Sequence, residues 1–303
     1  MKRVRTLALL VSALVCSAGC RDTPQAKAAQ LRSLASARNQ QLARRLATAD
    51  ANPTKPVPVA MWTMPPELKE ISGLALTTRG TVLTHDDEIG RIYEIDPKAG
   101  IILKRFTLSG EPHGDFEAIT IAGPDVYLLE SNGKLYRFKE GGDGQVVPYR
   151  KYDTHLGKEC EFESLAFEAD SSRLLLACKK VAKKGGNHDL VIYRLPIPIT
   201  DSTRMSVLTV PMTEVIGSNK WKNFRASDLN IDPVTGNYVL IASHERALAV
   251  ITPNGDVVWS GPIPEAGNHN QAEGVAITKD SLLLISDEAT HVPADLSLYR
   301  WRR

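Results

Sequence analysis

The sequence predicts an all-β fold, a five-bladed β-propeller, and two observations carry this prediction. A motif of seven residues occurs five times along the chain, and each copy is followed by a similar succession of short apolar strands. Four strands in a repeat of about 45 residues are typical of a propeller blade. A six-bladed ring is the main alternative, but the sequence contains no sixth motif.

The five copies of the motif define the five predicted blades. They are EISGLAL (70–76), DFEAITI (115–121), EFESLAF (161–167), RASDLNI (225–231) and QAEGVAI (271–277). Equivalent positions are held by Ser72, Glu117, Glu163, Ser227 and Glu273, with spacings of 45, 46, 64 and 46 residues. Insertions at 179–189 and 217–224 account for the one long spacing. The strands that follow are rich in Val, Ile, Leu and Tyr and are bounded by turn residues.

The two ends of the repeat array indicate how the ring closes. The last repeat stops after its third strand, at Trp301, and a strand-like segment, PVPVAMWTM, occupies 56–64. A strand from the N-terminal side that completes the last blade would leave the ring without open edges. We therefore assign residues 56–303 to the propeller, with the N-terminal strand closing the last blade.

The first residues predict export and attachment to a membrane. Lys2, Arg3 and Arg5 precede an apolar run at 7–16, and small residues lead up to Cys20. This pattern is typical of a signal peptide, here 1–19, and the apolar run is shorter than the roughly 20 residues that span a bilayer. The context of Cys20 resembles a bacterial lipobox, which implies lipidation of this cysteine; an ordinary cleaved signal is the alternative.

Residues 20–55 are predicted to form a lipidated, basic, helical tether, with a helix over 26–47. They carry seven basic and two acidic side chains. Such a helix would either rest on anionic headgroups or act as a solvated spacer. We expect lipid anchoring at the periplasmic face of a bacterial membrane. Because Arg21 follows the cysteine where Asp would favour inner-membrane retention, the outer membrane is favoured over the inner one.

The charge of the predicted propeller argues against nucleic acid as a partner. Although the whole chain has a formal charge of +2, residues 56–303 contain 27 basic and 33 acidic side chains, a net of −6. Phosphate backbones require a positive surface.

Acidic side chains are predicted to gather at one end of the propeller channel. The start of each innermost strand and the end of the next strand share one face, and counting from the hairpin turns places Glu117 opposite Glu130 and Asp287 opposite Gln271. Crowded carboxylates repel one another, whereas calcium accepts six to eight oxygen ligands. The predicted calcium ligands are Asp86, Asp87, Glu117, Glu130, Glu163, Asp228, Glu273 and Asp287. The alternative is that these acids are structural and bond backbone amides of neighbouring blades.

Cationic and histidine side chains are expected at the same face. They are His113, His244, His269, Lys179, Lys220, Lys222 and Arg225. Together with a metal they would suit a phosphorylated ligand, although lysines on solvated loops are common.

Cys160 and Cys178 flank the first hairpin of blade 3. Export permits a disulfide between them, and the sequence leaves both the bridged and the free state open. The chain contains no GxSxG, Walker A, HExxH or zinc CxxC pattern, so no motif supports a serine or cysteine nucleophile.

The ordered motifs resemble the SdiA-regulated family of exported bacterial β-propellers. The resemblance covers 58–303 and rests on EISGLAL with THDDEIGRIYEID, DFEAITI with DVYLLESNGKLYRF, EFESLAF and QAEGVAI. Blades 2 and 3 depart from the expected Glu-Gly, with FEAI and FESL. The resemblance implies an extracytoplasmic propeller, calcium binding and a relation to phytase-like phosphoesterases.

Three functions follow as hypotheses. The leading one is a calcium-binding module for binding or signalling in the cell envelope. The second is a calcium-dependent phosphoesterase, and the third is a docking protein in an envelope complex.

Overall fold

The computed structural model describes residues 24–52, 57–182, 188–200, 202–265 and 267–302. The predicted signal peptide and Cys20 lie outside the described residues. The described chain consists of one long helix, α1 (Pro24–Ala51), and five sheets arranged as a five-bladed β-propeller. The predicted fold is therefore confirmed.

Each sheet is one blade, and its strands follow one another from the channel outwards. Blade 1 contains β2 (Ala75–Leu76), β3 (Val82–His85), β4 (Arg91–Asp96), β5 (Ile101–Leu108) and β9 (Val146–Val147). Blade 2 contains β6 (Phe116–Ala122), β7 (Asp125–Glu130), β8 (Lys134–Phe138) and β10 (Tyr149–Asp153). Blade 3 contains β11 (Cys160–Glu168), β12 (Arg173–Val181), β13 (Asp189–Pro196) and β14 (Ser206–Pro211).

The remaining two blades close the ring. Blade 4 contains β15 (Asp228–Ile231), β16 (Tyr238–Ala242), β17 (Ala247–Ile251) and β18 (Val257–Pro262). Blade 5 contains β19 (Ala272–Ile277), β20 (Leu282–Asp287), β21 (Asp295–Arg300) and β1 (Ala60–Thr63). A short 3-10 helix (Pro66–Leu68) follows β1, and a short helix α2 (Met212–Ile216) follows β14. Apolar side chains of adjacent blades pack against one another and form the core.

The N-terminal strand completes the last blade, as predicted. β1 runs antiparallel to β21, with Ala60 opposite Leu298 and Thr63 opposite Asp295. Strands from both ends of the propeller thus share one sheet, which removes the open edge that a ring of consecutive blades would leave.

Pro148 divides a segment that resembles a single strand in the sequence. Residues 146–147 form β9 and pair in parallel with β5 of blade 1, whereas β10 pairs with β8 of blade 2. Proline has no backbone N–H for a β-ladder, so the chain changes sheets at this residue and connects the outer edges of two blades.

The innermost hairpins of blades 2, 3 and 5 contain irregularities at the motif glutamates. Phe116 lies opposite Glu130 and Ala118 opposite Leu129, which leaves Glu117 as an extra residue. Glu163 and Glu273 occupy equivalent bulges. The predicted pairing of Glu117 with Glu130 is therefore wrong by one residue. Such bulges re-aim side chains near functional sites.

The pairing predicted for blade 5 is wrong as well, because Asp287 lies opposite Ala272 and not opposite Gln271. The predicted pair implies that Ile277 lies opposite Ser281 at the turn, whereas the structure places Ile277 opposite Leu283, so the turn is two residues longer than the count assumed. The bulge at Glu273 then reduces the discrepancy at Asp287 to one residue.

Helix α1 is longer than predicted and packs on the propeller. Leu42 and Ala49 are buried against blades 1 and 5, and Leu46 packs beside them. The Arg38 guanidinium lies 4.7 Å from the centroid of the Trp62 ring. These four residues of α1 are spaced by three or four positions, so they lie on one face of the helix, and that face packs against the propeller.

The face that α1 contacts is opposite to the start of the motifs. Asp50 pairs with Arg300 at the end of β21, and Arg38 donates a hydrogen bond to Ala99 in the turn between β4 and β5. No helix in the described part of the chain is both long and apolar enough to cross a bilayer.

Candidate metal-binding mouth

The eight predicted metal ligands all lie near the face where the innermost strands begin, which we call the mouth. Three stand in the motif bulges, one opens β15, and the others lie at or just after the ends of second strands. Their surroundings nevertheless differ, and the eight residues fall into four groups, the first of which also includes Glu70.

The first group is the outer triad, which consists of Glu70, Asp86 and Asp87. One carboxylate oxygen from each residue lies within 4.8 Å of the other two. In the part of the chain that the structure describes, no other three histidine, cysteine, aspartate or glutamate side chains are placed so closely. The backbone amides of Glu88 and Ile89 donate to Oδ1 of Asp86, at 3.0 and 3.1 Å. These bonds fix the loop that follows β3.

Charge in the outer triad is poorly balanced. Oδ1 of Asp87 is closed off from solvent and accepts no hydrogen bond within the described residues. Burial, assisted by the nearby carboxylates of Glu70, Glu288 and Asp86, raises the pKa of Asp87 to about 7. Among the described residues, the cation in contact with the triad is the exposed Lys69, which pairs with Glu70. Hard carboxylate oxygens in such a loop are the donors that calcium prefers.

The second group is the inner ring, which consists of Glu117, Glu163 and Glu273. Glu163 is only 3% exposed, and its Oε1 is paired with the ammonium group of Lys179 from β12. Its Oε2 is buried and has no hydrogen-bond partner among the described residues. The same ammonium also interacts electrostatically with Glu117 and Glu273.

Burial is the main influence on the acids of the inner ring. It raises the pKa of Glu117 to about 9, assisted by the charges of Glu163, Asp115 and Glu273. It raises the pKa of Glu163 to about 7, although Lys179 opposes the shift. The pKa of Glu273 is likewise raised well above its ordinary value. The ring therefore holds less than its full negative charge at neutral pH.

Asp228 occupies a third environment and connects three blades. Its Oδ1 accepts from the amide of Leu229 and its Oδ2 from the amide of Val275, both at 2.7 Å. The amide of Leu74 in blade 1 also donates to it. Complete burial raises the pKa of Asp228 well above its ordinary value, and the backbone donors oppose that shift. Both oxygens thus make the backbone bonds expected of a structural acid.

Glycines give the innermost strands room to approach one another around Asp228. A Cβ on Gly73 would lie 3.0 Å from the Cα of Ala118 in blade 2, and one on Gly274 would lie 2.8 Å from Cγ of Leu74. Gly73 and Gly274, which follow the motif residues Ser72 and Glu273, are therefore needed because a side chain at either position would clash with a neighbouring strand.

Glu130 and Asp287 are held by side chains of their own blades. Glu130 accepts from Tyr136 at 2.8 Å and pairs with Lys151 at 3.0 Å. Burial alone would raise the pKa of Glu130, but these bonds outweigh it and the pKa is lowered.

Asp287 is bonded to a buried histidine. Its Oδ2 lies 2.5 Å from Nδ1 of His269, whose Nε2 lies 2.8 Å from the hydroxyl of Tyr299. His269 is only 1% exposed. This predicted ligand-binding residue therefore belongs to an internal hydrogen-bond network.

The other predicted ligand-binding residues are not gathered into one pocket. Arg225 pairs with Glu245, as Lys179 does with Glu163. The rest are exposed at separate places: His113, His244, Lys220 and Lys222. His113 is the nearest to the outer triad, because it forms an isolated bridge with Ile89.

A disulfide joins Cys160 and Cys178, with 5.7 Å between their Cα atoms. The sequence left this pairing open. The bridge lies within the blade 3 hairpin that carries Glu163 and Lys179, so it fixes the two strands that present the ion pair of the inner ring.

Glu70 is the member of the outer triad that the sequence prediction missed. It stands two positions before Ser72, and the equivalent positions of blades 2 and 3 hold Asp115 and Glu161. A comparison of this repeat position, two residues before the aligned Ser72, Glu117 and Glu163, would have identified Glu70 as an acidic residue of the mouth.

Comparison with known proteins identifies the fold and the family. No curated protein matches the chain in sequence. Glutaminyl cyclase from Myxococcus xanthus is similar in structure, with a TM-score of 0.53 and 12% identity over 80% of this chain and 95% of that chain. A luciferin-regenerating enzyme has the same TM-score and coverage at 10% identity. Virginiamycin B lyase from Staphylococcus aureus aligns with a TM-score of 0.42 and 16% identity, over 76% of this chain and 67% of that one.

The two likenesses with a TM-score of 0.53 agree with the propeller fold and carry no chemistry to this chain. The model of the SdiA-regulated family matches residues 63–291, which is most of the chain. The protein belongs to the SdiA-regulated family.

Proposed function

We propose that this member of the SdiA-regulated family is a calcium-binding, lipid-tethered propeller that acts as a binding or signalling module of the bacterial cell envelope. Calcium is assigned to the outer triad of Glu70, Asp86 and Asp87. The observation that carries the assignment is Oδ1 of Asp87, which is closed off from water and has no hydrogen-bond partner among the described residues. A buried carboxylate oxygen without a partner is costly, and a divalent cation would supply one.

The donor set of the outer triad fits a hard cation. Three carboxylates offer up to six oxygens, and Oδ1 of Asp86 already accepts two backbone amides, which holds its carboxylate in place. Glu288 is close enough for its charge to raise the pKa of Asp87. Calcium accepts mono- or bidentate carboxylates in flexible geometry, and its charge would neutralise this acidic loop.

Two features support a location outside the cytoplasm. The first is the predicted signal peptide with its lipid-modified Cys20. The second is the disulfide between Cys160 and Cys178, because such bonds persist mainly in oxidising compartments.

The docked helix suggests how the mouth is presented. Because α1 contacts the face opposite to the mouth, a lipid four residues before that helix would hold the propeller with its acidic mouth turned away from the anchor. The mouth would then be open to soluble ligands or to a partner protein.

Thermal unfolding of the purified chain tests the calcium site. A cation that binds only the folded state should stabilise it by about 2.7 kcal/mol at a hundredfold excess over its dissociation constant. Asp87→Asn and Glu70→Gln should abolish the shift, and Asp170→Asn, on an exposed turn far from the mouth, should retain it. Equal melting in calcium and in chelator would contradict the assignment.

A calcium-dependent phosphoesterase is less well supported by the geometry. Two of the cationic side chains expected to hold a phosphate, Lys179 and Arg225, are already paired with glutamates. Calcium-dependent release of phosphate from a phosphorylated sugar or inositol, lost in Asp87→Asn, would favour the enzyme. Co-purification of one protein, regardless of calcium, would favour a docking role.

A further inference from the structure

The inner ring contains a cation that belongs to the chain itself. We propose that Glu117, Glu163 and Glu273 form a cation-binding site occupied by the ammonium group of Lys179, and that replacing Lys179 with a neutral residue creates a divalent-metal site there. This inference is independent of the calcium site at the outer triad.

The three glutamates are placed alike in their blades. Each is the extra residue of a bulge in an innermost hairpin, in blades 2, 3 and 5. Bulges turn a side chain away from the regular alternation of a strand. Three separate blades thus direct the same residue type towards one volume at the mouth, and each of the three acids interacts electrostatically with Lys179.

The pairing of Glu163 is incomplete. This residue is 3% exposed, and Lys179 occupies Oε1 while Oε2 is buried without a partner among the described residues. A single ammonium group carries one charge, whereas a divalent cation bridges several carboxylate oxygens. Oε2 of Glu163 thus remains available to a cation that bridges more than one carboxylate oxygen.

The charge around the ring is also acidic. Besides the ring itself, Glu161 and Asp115 act on Glu163, and both are acids. Loss of the Lys179 charge would remove the cation that the described residues place beside these acids, and a buried group of acids without a cation recruits a metal or becomes protonated.

The spacing of the carboxylates agrees with an ammonium occupant. The three carboxylates of the inner ring do not all bring an oxygen within 4.8 Å of one another, as those of the outer triad do. Lysine is a compact point charge on a flexible stem, and it can interact with acids that are too far apart to chelate one ion directly. Removal of the stem would allow the three side chains to move inwards.

Calcium titration calorimetry on the purified chain provides the test. The wild-type chain is compared with Lys179→Met, and the variant should bind one additional calcium ion per chain. Lys179→Arg retains the charge and should bind no additional ion. The matched control is Lys180→Met, which removes the next lysine, an exposed one opposite Glu161, and should leave the stoichiometry unchanged.

A second variant covers the case in which Lys179→Met folds poorly. Glu163→Gln combined with Lys179→Met removes both members of the ion pair and should fold without binding the additional ion. Recovery of Lys179→Met folding by calcium, but not by an equal concentration of sodium, would support the proposal. A folded Lys179→Met chain with wild-type stoichiometry would overturn it, as would a variant that stays unfolded in excess calcium.

The stoichiometry also separates this inference from the proposed function. No calcium on the wild-type chain and one on Lys179→Met would support the inner ring and reject the outer triad. One on each would reject the inference and retain the outer triad.

Discussion

The inner ring and the outer triad each contain three carboxylates at one mouth, yet their charges are balanced differently. The inner ring stands in strand bulges and is covered by Lys179. The outer triad lies in loops beside β2 and β3, and the cation in contact with it is the exposed Lys69. The position of a built-in cation, rather than the number of acids, therefore distinguishes the two groups.

The two groups also differ in the rigidity of the strands that present them. The blade 3 hairpin behind the inner ring has nine residues in each strand and contains the disulfide. In blade 1 the innermost strand, β2, has only two residues. A permanent ion pair suits the rigid hairpin, whereas an exchangeable metal suits adaptable loops, because calcium sites tolerate flexible geometry.

Substitution of Asp228 should cause the largest loss of stability, because this residue connects blades that carry the inner ring and the outer triad. Asp228→Ala would leave the buried amides of Leu74, Leu229 and Val275 without their acceptor. We expect a loss of about 4 kcal/mol in the free energy of unfolding, measured in urea. Asp228→Asn retains one oxygen acceptor and should lose less. Equal losses in the two variants would show that packing, not amide bonding, is the role of this residue.

Removal of the disulfide should affect the inner ring and spare the outer triad. The bridge closes a span of 18 residues, so Cys160→Ser with Cys178→Ser should lower the free energy of unfolding by up to about 3 kcal/mol. Calcium-dependent stabilisation should persist, because Glu70, Asp86 and Asp87 lie in another blade. If calcium no longer stabilised this variant, the two groups would be coupled and the distinction between them would fail.

The outer triad should make stability depend on pH in a way that calcium reverses. An acid whose pKa rises on folding, such as Asp87 from 3.8 to about 7, favours the folded state at low pH. That contribution is complete below pH 3.8 and is lost as the pH rises through 7. Without calcium, the melting temperature should therefore fall between pH 5 and pH 7.5.

Calcium should act mainly at the upper end of that range, where the carboxyl groups are ionised. Its stabilisation should approach about 2.7 kcal/mol at a hundredfold excess. Melting curves of wild type and Asp87→Asn, with calcium or chelator, measure both effects. A calcium shift that is larger at pH 5 than at pH 7.5 would exclude carboxylates as the ligands.

The architecture could be predicted because it is repeated. Five copies of one motif determine the blade number. One unused strand at the N-terminal side and a last repeat that lacks its fourth strand determine the closure, and β1 pairs with β21 accordingly. The division of the mouth could not be predicted, because a bulge is invisible to a count of residues from a turn. Glu117 and Glu130 are opposite by that count, but the structure places Phe116 opposite Glu130.

The roles of the individual acids depend on tertiary partners far away in sequence. Asp228 bonds Val275, and Lys179 reaches the acids of three blades. Spacing alone gave no indication of which carboxylates already had partners. Glu70 was detectable, since its repeat position is acidic in two other blades.

The smallest loss of stability is expected for substitutions on α1, away from both groups of acids. Two leucines of this helix, one buried and one exposed, can be compared directly. Leu42 is buried against the propeller, whereas Leu34, eight residues earlier in the helix, is 40% exposed. Leu42→Ala should lower the free energy of unfolding, measured in urea, by about 2 kcal/mol, which is the lower limit for a buried leucine. The loss is limited because the helix can detach from the propeller, and the variant then loses only the free energy of docking. Leu34→Ala should cost almost nothing, and neither variant should alter calcium binding, since α1 lies on the face opposite to the mouth. Equal costs for the two variants would mean that the stripe from Arg38 to Ala49 does not hold the helix, and the orientation proposed for the mouth would lose its support.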